Sequence, residues 1–197
     1  NHLETILTFN NKKFIPFKKE KFSTVEFDKE SIHTYLQVKA GLGSSSPSFF
    51  TDGTSLSTSN FIGELGVETF KNIPVFINFE YMSQNSGQEV QFSTFSIGLR
   101  TEYRHHLNGH SYIAAGLSAQ RSLYSSADIL GSSVGHGLDS FGVGVNYNFK
   151  SYSLSLEYKK QSYTFDSNVF FPNTNLQSSN SASLILFTIG KEFEASI

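Results

Sequence analysis

The chain has no cysteine, no tryptophan, four prolines and one methionine in 197 residues. Without cysteine there is no disulfide framework, no thiolate nucleophile, no Cys-ligated zinc and no expectation of a lipid-modified N-terminal cysteine. Charge of one sign is lacking too. Fifteen Lys and Arg face seventeen Asp and Glu, a net charge of −2, whereas chains that bind nucleic acid are usually basic. Long apolar runs are missing: the most apolar stretches resemble Leu184 to Phe187, far from the roughly 18–20 residues of a membrane helix. That test does not register strands, whose membrane signal is weak and alternating. No signal peptide is visible at Asn1, which decides little because such a segment is removed on export.

What is abundant points to β-structure. Twenty Phe and nine Tyr stand among many Ser, Asn and Gly, a mixture that suits strands joined by polar loops. From His33 onward, eight segments of about 9–13 residues alternate between an apolar and a polar register, the period of a strand with two unlike faces. In "HTYLQVKAGLG" Leu36, Val38, Ala40 and Leu42 oppose Gln37 and Lys39. In "NFIGELGVETF" Leu65 and Val67 oppose Glu64, Gly66 and Glu68, and in "PVFINFEYM" Val75, Ile77, Phe79 and Tyr81 oppose Asn78 and Glu80. "FSTFSIGLRTEYR" sets Phe95, Ile97, Leu99 and Tyr103 against Ser96, Gly98, Arg100 and Glu102. "SYIAAGLSAQR" sets Ile113, Ala115, Leu117 and Ala119 against Gly116, Ser118 and Gln120. "SFGVGVNYNFKSYSLSLEYKKQS" contains two segments, in which Val143, Val145, Leu154 and Leu156 oppose Gly142, Gly144, Glu157 and Lys159. "ASLILFTIGKEF" sets Ile185, Phe187 and Ile189 against Thr188, Gly190 and Glu192.

The connections alternate as well. "KNI", "HHLNGH" and "KSY" are short, and the remaining joins are long and rich in Ser, Asn and Gly. All long loops then fall at one end and all short turns at the other, the arrangement of a barrel with extracellular loops and periplasmic turns. A soluble lipocalin-like barrel, with the apolar register inside, is the main alternative. The glycines argue against it. Gly66, Gly98, Gly116, Gly142, Gly144 and Gly190 all share the charged register. A solvent-exposed strand face gains nothing from repeated glycine, but a narrow interior gains space for long charged side chains. The expected lumen network is Lys39, Glu64, Glu68, Glu80, Arg100, Glu102, Glu157 and Lys159, with both signs interspersed so that buried charges pair.

"GVGVNYNFKSYSLSLEYKKQS", the terminal "LFTIGKEF" and the hairpin "NFIGELGVETFKNIPVFINFEYMS" resemble strands of the small eight-stranded outer-membrane barrels, the family of the OmpA transmembrane domain and its OmpX/Ail-like relatives. The resemblance covers residues 33–193 and implies an all-β, antiparallel, up-and-down transmembrane barrel in a bacterial outer membrane, in contact with outer-membrane lipid and lipopolysaccharide. The tail Glu194 to Ile197 departs from it, since such barrels often end on the aromatic residue.

Residues 1–32 are expected to form an N-terminal periplasmic extension ahead of the barrel at 33–197. Phe14, Phe17, Lys18, Lys19 and Phe22 make it a candidate docking segment for a protein partner. In the long loops, Phe49, Phe50, Phe170 and Phe171 are candidate contact residues. Catalytic residues, cofactors and metals are not expected. His136, Asp139 and Ser140 of "HGLDS" hold the residue types for acyl transfer on lipid A, but Asp139 and Ser140 point to opposite faces of a strand. His105, His106 and His110 could ligate a metal but lack supporting carboxylates, and "LNGH" already reads as a turn. The expected role is a non-enzymatic envelope structural, anchoring or surface-interaction component, also conceivable as a subunit of a larger envelope complex. A lipid A enzyme and a narrow pore are the alternatives.

Overall fold

The computed structural model describes residues 33–48, 50, 53–87, 90–129, 131–165 and 179–196. The N-terminal extension, with Phe14, Phe17, Lys18, Lys19 and Phe22, lies outside the described residues, as do Phe49, Phe170 and Phe171.

Alternation dictates strands, and strands with an apolar outer face must leave no unpaired backbone in lipid. The chain meets both demands with β1 (His33–Pro47), β2 (Leu56–Phe70), β3 (Ile73–Asn85), β4 (Val90–Asn108), β5 (Ser111–Ile129), a three-residue β6 (Ser132–Val134), β7 (His136–Phe149), β8 (Tyr152–Phe165) and β9 (Ser179–Ser196). Each long strand pairs antiparallel with its chain neighbour, and β1 pairs β9 from His33↔Ser196 to Pro47↔Ala182, which closes the sheet into an eight-stranded barrel. The small β6 folds back only on the end of β5.

The long strands have 13–19 residues, longer than the 9–13 expected and longer than the roughly 9–11 that cross a bilayer. β4 runs on to Asn108 and β9 to Ser196 at the short-turn end, but most of the surplus lies at the long-loop end. There β1 runs to Pro47, β5 to Ile129 and β8 to Phe165, through stretches whose Ser-rich composition reads as loop. At the other end the strands meet in the tight turns Lys71–Asn72, Gly109–His110 and Lys150–Ser151. Asn72 and Lys150 adopt φ of 63° and 60°, the left-handed geometry that lets two residues reverse a hairpin.

The outer surface is an apolar band. Leu42, Leu65, Leu99, Leu117, Val145, Leu156 and Ile189 all point away from the barrel and are at least half exposed. Phe61, Tyr81, Phe95 and Tyr124 stand side by side across four strands, paired Phe61↔Tyr81, Tyr81↔Phe95 and Phe95↔Tyr124. Such a row is the aromatic girdle of a membrane barrel. The opposite register is inside: Glu64, Glu80, Glu102 and Lys159 are buried. A barrel with ionised groups inside and leucines outside is built for lipid.

Candidate functional site

The lumen is where this sequence concentrates its chemistry. Its short-turn half is one connected ionic network. Lys39 Nζ lies 2.8 Å from Glu64 Oε2. Arg100 grips Glu64 with two bonds, Nε to Oε1 at 2.7 Å and Nη2 to Oε2 at 2.8 Å, and donates through Nη1 to Glu102. Arg104 continues the chain, donating to Glu102 Oε1 at 2.8 Å and to Glu192 Oε2 at 2.6 Å. Gln37 donates to Glu192 and accepts from Arg100 at 3.0 Å. Aromatic faces complete the cage: the Arg100 guanidinium stacks 4.3 Å over Phe76, and Arg104 sits 4.3 Å over Tyr35 and 4.5 Å over Tyr112. Three cations meet three carboxylates, and every charge has more than one polar or aromatic partner except Lys39. Desolvated charges are tolerated on those terms only.

A second cluster sits farther from the turns. Lys159 Nζ is 2.6 Å from Glu80 Oε2, 3.6 Å from Glu157 Oε2 and donates to Gln120 at 3.1 Å. Asn60 donates to Glu80 at 2.6 Å and Ser118 to Glu157 at 2.6 Å. Between the two clusters remains a cavity of about 40 Å³ bordered by Asn78, Asn146, Glu157 and Arg100. Asn78 Oδ1 and Asn146 Nδ2 are buried there without a protein partner, so the space suits ordered water, which needs roughly 10–15 Å³ and polar neighbours.

The glycines make this packing possible. A β-carbon on Gly142 would stand 2.5 Å from Ser118 Oγ and 2.7 Å from Glu157 Oε1, and one on Gly190 would stand 2.5 Å from Lys39 Cγ. The charged side chains occupy the volume the glycines vacate.

Toward the long loops the lumen changes character. A layer of amides comes first: Gln84 donates to Ser45 at 2.8 Å and to Gln161 at 3.2 Å, and Tyr163 donates to Gln84 at 2.6 Å. Above it Leu56, Met82, Val90, Phe92, Ile129, Val134, Leu138, Phe165, Leu184 and Leu186 form a buried apolar cluster. Phe50, half-buried, packs against this cluster. The lumen is therefore shut twice, by ion pairs at one end and by an apolar cap at the other.

Of the lumen residues read from the sequence, Lys39, Glu64, Glu80, Arg100, Glu102, Glu157 and Lys159 come together in the two clusters. Glu68 stands apart at the mouth, half-buried, accepting from Tyr35 OH at 3.4 Å and from the Asn72 amide at 2.6 Å. Arg104, Glu192, Tyr35 and Tyr112 lie outside the lumen network read from the sequence, although Glu192 stands in the polar register of Thr188 and Gly190, and Arg104 extends that of Arg100 and Glu102. The apolar cap carried no charge signal to follow.

The residue types for acyl transfer do not assemble. His136 is buried in the cap, 5.2 Å ring to ring from Phe92 and stacked on Tyr163. Asp139 faces outward, 3.8 Å from Arg121, and Ser140 faces inward, donating to Gln120 at 3.0 Å. His105, His106 and His110 are exposed at the short-turn end. Among the described residues no group of three or more His, Asp or Glu is placed to hold a metal ion.

No protein-family model and no curated protein matches the sequence. Solved structures do resemble it. Neisserial surface protein A (NspA) aligns with a TM-score of 0.51 at 17% identity, over 81% of this chain and 97% of that one. Ail, the attachment invasion locus protein of Yersinia pestis, aligns with a TM-score of 0.48 at 11% identity, over 83% and 99%. OprG of Pseudomonas aeruginosa gives 0.41 at 12% identity, over 83% and 96%. The fold is that of the small outer-membrane barrels, and the apolar band, aromatic girdle and charged lumen described above fit the bacterial outer membrane.

Proposed function

We propose that this outer-membrane barrel is a non-conducting, non-enzymatic envelope component that works by anchoring a surface at its long-loop end. The observation that supports this is the doubly closed lumen. A conduit needs a continuous aqueous path, and an eight-stranded interior has only enough room for its own side chains. Here that room is taken by paired charges below and by an apolar cluster above. NspA, which shares this fold, is a neisserial surface protein, which is the same kind of role.

With the lumen filled, contact is left to the two ends and the lipid face. The strands continue past the apolar band toward the long-loop end, where Phe50 packs against the cap. A protein partner would be met through these loops or through the N-terminal segment, and lipopolysaccharide would surround the long-loop half of the band. The test is conductance in planar bilayers, with lipid A incubated with the folded protein and weighed by mass spectrometry. The expected result is no long-lived channel and unaltered lipid A. Stable openings, or lipid A shortened or extended by an acyl chain, would overturn the reading.

A further inference from the structure

The short-turn rim carries cations that form no ion pair among the described residues. Lys191 lies on β9 between Gly190 and Glu192, both of which point inward, so its side chain leaves the barrel on the lipid side. Its ammonium sits 5.0 Å from the Phe193 ring and 5.7 Å from the Tyr152 ring. Tyr152 pairs directly with Lys191 across the β8–β9 ladder, and Phe149 pairs with Tyr152 across the turn. Lys150, held in the turn at φ of 60°, places its ammonium 5.5 Å from the Phe149 ring. Two ammonium groups thus flank one small patch of exposed aromatic rings.

No carboxylate among the described residues lies within ion-pair distance of either lysine. The acidic groups of this rim are committed elsewhere. Glu194 pairs with His33 at 2.7 Å, Glu192 is bound by Arg104, and Glu68 turns into the mouth. Lys71, in the β2–β3 turn, adds a third cation to the same end. Aromatic rings anchor at the interfacial level of a bilayer and lysine stems run along apolar surface to the headgroups. Two uncompensated ammonium groups at that level attract anionic lipid at about 1 kcal/mol each, roughly fivefold per lysine.

We propose that Lys150 and Lys191, with Phe149, Tyr152 and Phe193, form a binding site for the headgroup phosphate of an anionic glycerophospholipid in the leaflet that faces the short turns. The two ammonium groups hold the phosphate, and the three rings bound the first segment of the acyl chains. The proposal rests on the barrel spanning an outer membrane. If the folded chain stays in solution without detergent, that premise fails before any lipid is added.

The test uses the full folded chain in detergent, titrated with phosphatidylglycerol or with phosphatidylcholine of the same acyl chains, and counts retained lipids by native mass spectrometry. The wild type is expected to retain phosphatidylglycerol preferentially, by about an order of magnitude or more for two lysines. Lys150→Gln with Lys191→Gln should bring the two lipids to parity, while Lys150→Arg with Lys191→Arg keeps the preference. Lys160→Gln, at the opposite end, should leave it unchanged. Heat-dependent gel migration confirms that each variant is folded. Parity in the wild type, or a preference that survives the double Gln variant, would overturn the proposal. Displacement of the lipid by millimolar inorganic phosphate would also overturn it, because the site would then take phosphate without a lipid.

Discussion

The two halves of the lumen obey opposite rules. Near the short turns the inward residues are Glu64, Arg100, Glu102, Arg104 and Glu192, and the outward ones are Leu65, Leu99, Tyr103 and Phe193. Near the long loops the inward positions hold Phe92, Ile129, Leu138, Tyr163, Phe165 and Leu184, and the outward ones hold Gln91, Asp128, Asp139, Ser162 and Thr164. In β8 and β9 no slip produces this change, for they pair without interruption from Tyr152↔Lys191 to Thr164↔Ser179; in β5 a bulge opposite Phe95 and Ser96 shifts the phase and brings Ala127 and Ile129 inward. The change follows the solvent. Where lipid surrounds the barrel, polarity goes inside. Where the strands emerge into water, the barrel reverts to the soluble arrangement, apolar inside and polar outside. The chain is a membrane barrel carrying a short soluble barrel on top of it.

Mutations separate the two halves. The largest effect is expected from Arg100→Ala, which strands Glu64 and Glu102 in the interior. Breaking a buried pair by removing one partner costs about 3–5 kcal/mol, readable as a lowered urea midpoint of the barrel folded in lipid vesicles. Unaltered stability would mean that the network is hydrated and the short-turn half is not sealed. Phe92→Ala should cost about 3 kcal/mol through the cavity it leaves among Tyr163, Phe165 and His136. Its signature should be earlier proteolysis at the long-loop end while the ionic half stays protected. Simultaneous loss of protection in both halves would show that they unfold as one unit.

Gly142→Ala tests the glycine spacing. Its methyl must displace Ser118 or Glu157, and overpacking of this kind costs about 1–3 kcal/mol, read from the same urea transition; a neutral result would mean that the Lys159 cluster can repack freely. The smallest effect belongs to Arg121→Ala, which removes the exposed ion pair with Asp139 and should shift stability by less than about 0.5 kcal/mol. A loss comparable to that of Arg100 would show that outward charges near the long loops are as essential as inward ones near the turns.

This comparison also shows what could be read from the sequence. The faces, the up-and-down order, the short turns and most lumen charges were legible because lipid enforces a sharp contrast, with Leu, Ile and Val on one side and Glu, Lys and Gly on the other. "LGVETFKNIPVFINFE" exposes two strands and their turn in one line. The longer strands were not legible. In "GHGLD" and "SYTF" the apolar Leu138, Tyr163 and Phe165 fall in the register that is polar lower down, and in "SLYSSADI" a bulge shifts the phase, so the alternation breaks and the Ser content reads as loop. The apolar cap was missed for that reason and not for lack of hydrophobic residues. Arg104 and Glu192 were overlooked at the other end, where inward strand positions merge with a polar rim and the contrast again fades.

The closure of the sheet has a consequence for how the molecule comes into being. β1 can pair β9 only when the whole chain between them is in place, for His33 and Glu194 are 161 residues apart and touch at 2.7 Å. Gln37 on β1 and Arg104 on β4 both reach Glu192 on β9, so the last strand to arrive also completes the ionic network. Contacts of such long range come late and make folding slow. Until that seam is joined, the arginines of the lumen have no complete set of partners and both flanking strands present open edges. Assembly should therefore be governed by one late, nearly all-or-none event: the first and last strands finding each other.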